Sequence, residues 1–168
     1  LGPGSLFTSV ITNLLVPDIQ SALLNRTCGM TIYVCNIVTQ PGQTDGFKAS
    51  DHLHTILRHV PDSGAGGALD HMLVQDPRVF ETPAGRVWSR LLKRYRKMSK
   101  ERVACDCDKG NTPIPWTVAD LIEAYQPDVL NRREGDFISH DPDKVADAVC
   151  RVYCGLKVPD YGGQGDGD

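Results

Sequence analysis

Ten residues, MTIYVCNIVT (30–39), constrain the fold of this chain more than any other stretch. They are nearly apolar throughout and rich in β-branched side chains, without the polar–apolar alternation of a strand that faces water on one side. A strand covered on both faces reads this way, and such strands belong to parallel sheets. The segment is therefore predicted to be a buried parallel strand. The next residues agree with this: QPGQTDGF (40–47) is a loop by its Pro and two Gly, and KASDHLHTILRHV (48–60) returns to helical period with Leu53, Ile56, Leu57 and Val60 inward.

Upstream, Val10, Ile11, Leu14 and Leu15 fall at helical spacing, and Pro17 opens a second short helix, PDIQSALLNR, because its missing N–H costs nothing in a first turn. Downstream, PDSGAGGA (61–68) is a Gly-rich connector, so 61–115 reads as an insertion or excursion from the core sheet, carrying the amphipathic helix AGRVWSRLLKRYRKM. ACDCDKGNTPIP (104–115) is a loop. WTVADLIEAY is predicted to be a helix capped by Thr117, with Asp120 three residues on as a partial capping box. GDFIS is a short strand candidate, and HDPDKVADAVCRVYCGL (140–156) a helix with Asp141 as N-cap and Pro142 at its first position.

Strands alternating with helices argue an α/β layered fold with a mostly parallel sheet. A doubly wound sheet normally has five or six strands, and only two or three are evident in these 168 residues. A chain that opens on a phosphate-type turn also lacks the strand that should feed it. The sequence is therefore read as the C-terminal half of a larger domain, with 1–60 and 116–156 in its core and 157–168 a flexible tail.

Charge narrows the partners. Eighteen basic and 21 acidic residues leave a net charge of −3, with no electrostatic footprint for nucleic acid, and the arginines of 86–102 read as a solvated helix face. No stretch approaches the roughly 18 apolar residues of a membrane helix, and no signal peptide is visible, so a soluble, cytoplasmic protein without a membrane partner is expected. A homo-oligomer stays open. The six cysteines follow none of the usual CxxC zinc spacings and read as free thiols. A weaker alternative is a four-thiolate site, because Cys105 and Cys107 could chelate a soft metal and Cys150 and Cys154 lie one helical turn apart. Otherwise no metal ligand is assigned. Trp88 and Trp116 read as packing residues.

Chemistry concentrates at two places. In GPGSLFTS, Gly2 and Gly4 let a ligand approach the backbone closely, the helix start favours an anion, and Ser5, Thr8 and Ser9 add hydroxyls at the same end. The sum is a phosphate or pyrophosphate cradle, although the same residues would also simply start a helix. It is neither a Walker loop nor the dinucleotide fingerprint. In CNIVTQPGQTDGF, Asn36, Thr39 and Gln40, with Gln43 and Thr44, lie beyond the carboxyl end of the strand, where α/β sheets bind ligands. Neutral amides and hydroxyls there suit a base, ribose or sugar; an ordinary polar loop is the competing reading. Asp51 and His52 open the next helix and are expected as rim residues, while in the pair His140–Asp141 the capping role of Asp141 is the stronger explanation.

LGPGSLFTSVITNLLVPDIQSAL, then YVCNIVTQPGQTDGF followed by ASDH, and finally HDPDKVADAV, in this order, resemble the family that unites bacterial gluconeogenesis factors with the 2-phospho-L-lactate transferases of deazaflavin-coenzyme biosynthesis. The resemblance covers residues 1–60 and about 115–156, and its Gly-Pro-Gly-Ser turn and Thr-Gln pair lie nearer the gluconeogenesis-factor branch. That branch implies a Rossmann-like domain binding a nucleotide sugar of the UDP-N-acetylglucosamine kind and regulating carbon metabolism or cell-wall synthesis. The other branch implies transfer of a phospholactyl group from a guanylylated donor to a deazaflavin, with magnesium. A non-catalytic interaction module, with 86–102 as partner surface, is a third reading. Two departures matter: the family's N-terminal Gly-rich loop is absent, and Ser139 stands where an Arg suited to phosphate often precedes the His-Asp, with Arg132 or Arg133 as substitutes.

Overall fold

The computed structural model describes residues 1–60, 67–83, 85–96, 100–123 and 138–158. Three strands, β1 (Ile32–Val34), β2 (His71–Gln75) and β3 (Trp116–Ala119), form a parallel sheet in that order. Ile32 pairs with His71 and Val34 with Leu73; Met72 pairs with Trp116 and Gln75 with Ala119. All three residues of β1 are buried, as its composition requires. Tyr33, Met72 and Val74 pack with Leu6, Leu14, Leu53 and Ile56 on one face of the sheet. Ile32, Val34 and Leu73 pack with Leu121 and Ala148 on the other. Cover on both faces is why the strand shows no alternation.

The first face is covered by a π-helical segment (Leu6–Ile11) that runs into a short helical turn, α1 (Thr12–Leu14), and by α3 (Ala49–His59). The chain bends by 76° between this first helical stretch and α2 (Pro17–Leu24), which starts on its proline as expected. Gln20 of α2 ties this helix down, donating from Nε2 to the carbonyls of Leu14 (2.5 Å) and His59 (2.9 Å). In α3, Leu53, Ile56 and Val60 are buried and Leu57 packs beside them. The second face is covered by α5 (Pro142–Tyr153), where Asp141 accepts from the N–H groups of Asp143 (3.0 Å) and Lys144 (3.1 Å). A 3₁₀ turn (Pro77–Glu81) and α4 (Gly85–Arg96) build a smaller cluster of Val79, Phe80 and Trp88 with Ile37, Ile122 and Ile138. Among the described residues no single helix is long and apolar enough to cross a membrane.

Two expectations are corrected. The stretch 61–115 is no excursion from the sheet, because β2, its central strand, lies within it. Only five residues long, β2 comes after a Gly-rich connector that resembles a domain break. The run beginning at Trp116 is a strand rather than a helix: Met72 N–H donates to Pro115 O (3.0 Å) and Asp76 N–H to Ala119 O (2.8 Å), extending the ladder with β2. Thr117 and Val118 are β-branched and suit that ladder, and tertiary pairing overrides the helical pattern of the residues after them. Thr117 caps nothing; its hydroxyl meets His71 Nε2 at 2.9 Å, and the Asp120 carboxylate pairs with Lys144 (2.7 Å). Residues 135–137 of the expected GDFIS strand, and 159–168 of the expected tail, lie outside the described residues. His140 forms an antiparallel bridge with Ile122.

Candidate functional site

Leu1 sits beside β1 as a parallel partner: its amino group donates to Ile32 O (2.6 Å), and its carbonyl accepts from Val34 N–H (2.9 Å). The turn after Leu1 therefore emerges at the carboxyl end of the sheet, where the chain also leaves β1. The two meet in a cleft of about 390 Å³ that Gly4, Ser5, Asn36, Thr39 and Gln40 line together. Lys100, Ser139 and His140 line it as well.

Each wall has a local cause. Gly2 has φ +74°, and a Cβ there would lie 2.8 Å from Val34 O, so only glycine lets the turn lie this close to β1. Ser5 caps the π-helical segment; its Oγ accepts from Thr8 N–H (3.3 Å) and Thr8 Oγ1 (2.6 Å) and donates to Gln43 Oε1 (3.2 Å). Thr39, 1 % exposed, is clamped to a second segment: its N–H donates to Glu101 O (2.8 Å), and its hydroxyl accepts from Glu101 N–H (2.9 Å). Val103 N–H donates to Ile37 O (2.9 Å), continuing the clamp, and the segment so held carries Lys100 to the cleft. Burial lowers the pKa of that lysine. Gln40 turns the loop, its N–H donating to Thr44 Oγ1 (2.8 Å), and its own Oε1 is buried without a hydrogen-bond partner. His140 Nε2 donates to Cys35 O (3.1 Å), and burial lowers its pKa, which keeps the ring neutral.

Five of the expected residues, Gly4, Ser5, Asn36, Thr39 and Gln40, thus share one cleft. Gly2 shapes the turn. Thr8 and Ser9 lie on the exposed side of the π-helical segment, and Thr8 directs both its donors at Ser5 rather than into the cleft. Asp51 is exposed and caps α3 through Lys48 N–H (2.9 Å). His52 is not a rim residue: it is fully buried, with Nδ1 3.2 Å from Tyr33 Oη and its ring edge-on to Phe47 at 5.6 Å. It precedes Ile56 by four positions and so shares the inward face of α3. Burial lowers its pKa to about 4.

Sequence reasoning missed Lys100 and the cleft role of His140. His140 stands beside a cap that explains its neighbour, and Lys100 reaches the cleft through a bridge between Val38 and Arg102 that no local pattern announces. Ser139, where the resemblance implies an Arg, donates its hydroxyl to the Glu123 carboxylate. Arg132 and Arg133 lie outside the described residues. The four-thiolate site does not assemble. Cys105 and Cys107 pack on the α3 side of the sheet, whereas Cys150 and Cys154 lie on α5 or at its end, and that helix covers the opposite face.

The model of the family described as "2-phospho-L-lactate transferase CofD" matches residues 1–120. A putative gluconeogenesis factor of Clostridium acetobutylicum is 39 % identical over 158 residues, which are 94 % of this chain and 30 % of that protein. A gluconeogenesis factor of Halalkalibacterium halodurans is 36 % identical, over 89 % of this chain and 40 % of its own length. A crystal structure of a UPF0052 family member from Bacillus halodurans superposes with a TM-score of 0.65 at 31 % identity, covering 89 % of this chain and 41 % of that one. The chain therefore spans well under half the length of these relatives. With the parallel α/β sheet and the family match in agreement, the chain belongs to the CofD and gluconeogenesis factor (UPF0052) family.

Proposed function

We propose that the cleft binds a nucleotide or nucleotide sugar of the UDP-N-acetylglucosamine kind, as part of a cytoplasmic metabolic regulator of the gluconeogenesis-factor type. The observation that carries this reading is the convergence of Gly4 and Ser5 with Asn36, Thr39 and Gln40 on one cleft at the carboxyl end of a parallel sheet. Its volume falls within the range of small-molecule sites. Lys100 and the Ser5 turn suit phosphate oxygens. The neutral amides and hydroxyl of Asn36, Gln40 and Thr39 on the facing wall suit a base or sugar.

The same donor set bears on the transferase reading. A magnesium ion takes carboxylates and phosphate oxygens, whereas the cleft's lining among the described residues consists of amides, hydroxyls, a lysine and a histidine beside apolar and backbone groups. Those residues do not fit the ion.

Calorimetric titration of the complete protein with UDP-N-acetylglucosamine and with GDP, each with and without magnesium, tests the proposal. Binding of the UDP-sugar that is indifferent to magnesium is the expected result. Magnesium-dependent binding of GDP alone would move the reading to a phospholactate-type transferase. Binding of neither would leave the interaction-module reading.

A further inference from the structure

The cysteines of this chain occupy three different environments. Cys28, Cys150 and Cys154 are exposed. Cys35 is fully buried, and burial pushes its thiol up to about 12. Cys105 and Cys107 are half-buried and pack against the same core cluster.

The loop that carries this pair is held on both sides. Ala49 N–H donates to Ala104 O (2.9 Å), and the Asp106 carboxylate between the two thiols accepts from Ser50 N–H (3.0 Å) and Ser50 Oγ (2.7 Å). The loop is thus pinned to α3 at residues 104 and 106, and the two thiols that flank Asp106 both pack against the core cluster that α3 helps to build. The neighbouring Cys107 lowers the Cys105 thiol to about 6, against the opposing effects of burial and of the Asp106 and Asp76 carboxylates, while Cys105 and burial raise Cys107. One sulfur is thereby prepared as a nucleophile and its neighbour is placed to resolve the product.

We propose that Cys105 and Cys107 form a redox-active vicinal dithiol, a modification site at which a small-molecule disulfide of the glutathione type closes an internal disulfide. The Cys105 thiolate attacks one sulfur of the oxidant, whose S–S bond breaks, and one half leaves as a thiolate that takes a proton from solvent. Cys107 then loses its proton to solvent and attacks Cys105 Sγ, expelling the second half as a thiolate that is protonated in turn. The protein loses two hydrogens and the oxidant becomes two thiols. Neither thiol lines the cleft.

The test uses the complete protein, oxidised glutathione at pH 7, an acid quench and alkylation with N-ethylmaleimide. Trypsin releases both cysteines in one peptide, VACDCDK (103–109). This peptide is expected two hydrogens lighter than its reduced form and unalkylated. Cys107→Ser should trap a glutathione adduct on Cys105, and iodoacetamide should modify Cys105 about tenfold faster than Cys28. A peptide that stays doubly alkylated while Cys28 takes up glutathione would overturn the proposal. So would a bridge from Cys105 to Cys35, or a Cys107→Ser protein whose Cys105 reacts no faster than Cys28.

Discussion

Neutral His52 is fully buried, with Nε2 unpartnered, and protonating it would place an unpaired charge in the core. Its folded pKa, about 4, lies below the usual 6.5, so the unfolded chain takes up the proton first. Stability is therefore full above pH 6.5 and falls as pH drops toward 4, with His71 and His140, both lowered by burial, acting in the same direction. Urea titrations across this window should show the slope, and His52→Gln, which keeps an acceptor for Tyr33, should flatten it. Gly85 is a second residue with no alternative. A Cβ there would lie 1.7 Å from Val79 O, so Gly85→Ala must push the 3₁₀ turn away from α4, an overpacking expected to cost about 1–3 kcal/mol in the same assay.

The helices that cover the sheet are fastened by caps of two kinds. Asp141 caps α5 locally, and Asp141→Ala should cost about 1 kcal/mol, read as a lower urea midpoint with unchanged slope. Asp106 serves α3 across 56 residues, and no spacing rule could have found it. The same contrast separates the elements that are legible in the sequence from those that are not. β1, α2, α3, α4 and α5 each carry their signal locally, as an apolar run, a helical period or a capping residue. β2 and β3 are short, and their identity lies in each other's ladder. The expectation for His52 failed for a related reason: helical period places it on the inward face, but its chemistry suggested a rim.

At the scale of the molecule, the parallel sheet brings together two segments more than thirty positions apart, because Leu1 pairs beside β1 and both chains exit at the same end. The part of the cleft built by these two exits was readable from sequence. The part built by Lys100 and His140 was not, since both arrive through pairings with distant residues. We propose that this cleft holds a nucleotide, with Ser5 at its phosphate and Gln40 at its base or sugar. The most direct measurement is the affinity of the complete protein for UDP-N-acetylglucosamine in the wild type, Ser5→Ala and Gln40→Ala, with thermal unfolding to confirm that each variant is folded. Each substitution is expected to weaken binding at least about tenfold, roughly 1.4 kcal/mol. Folded variants that bind as tightly as the wild type would rule out a nucleotide in this cleft.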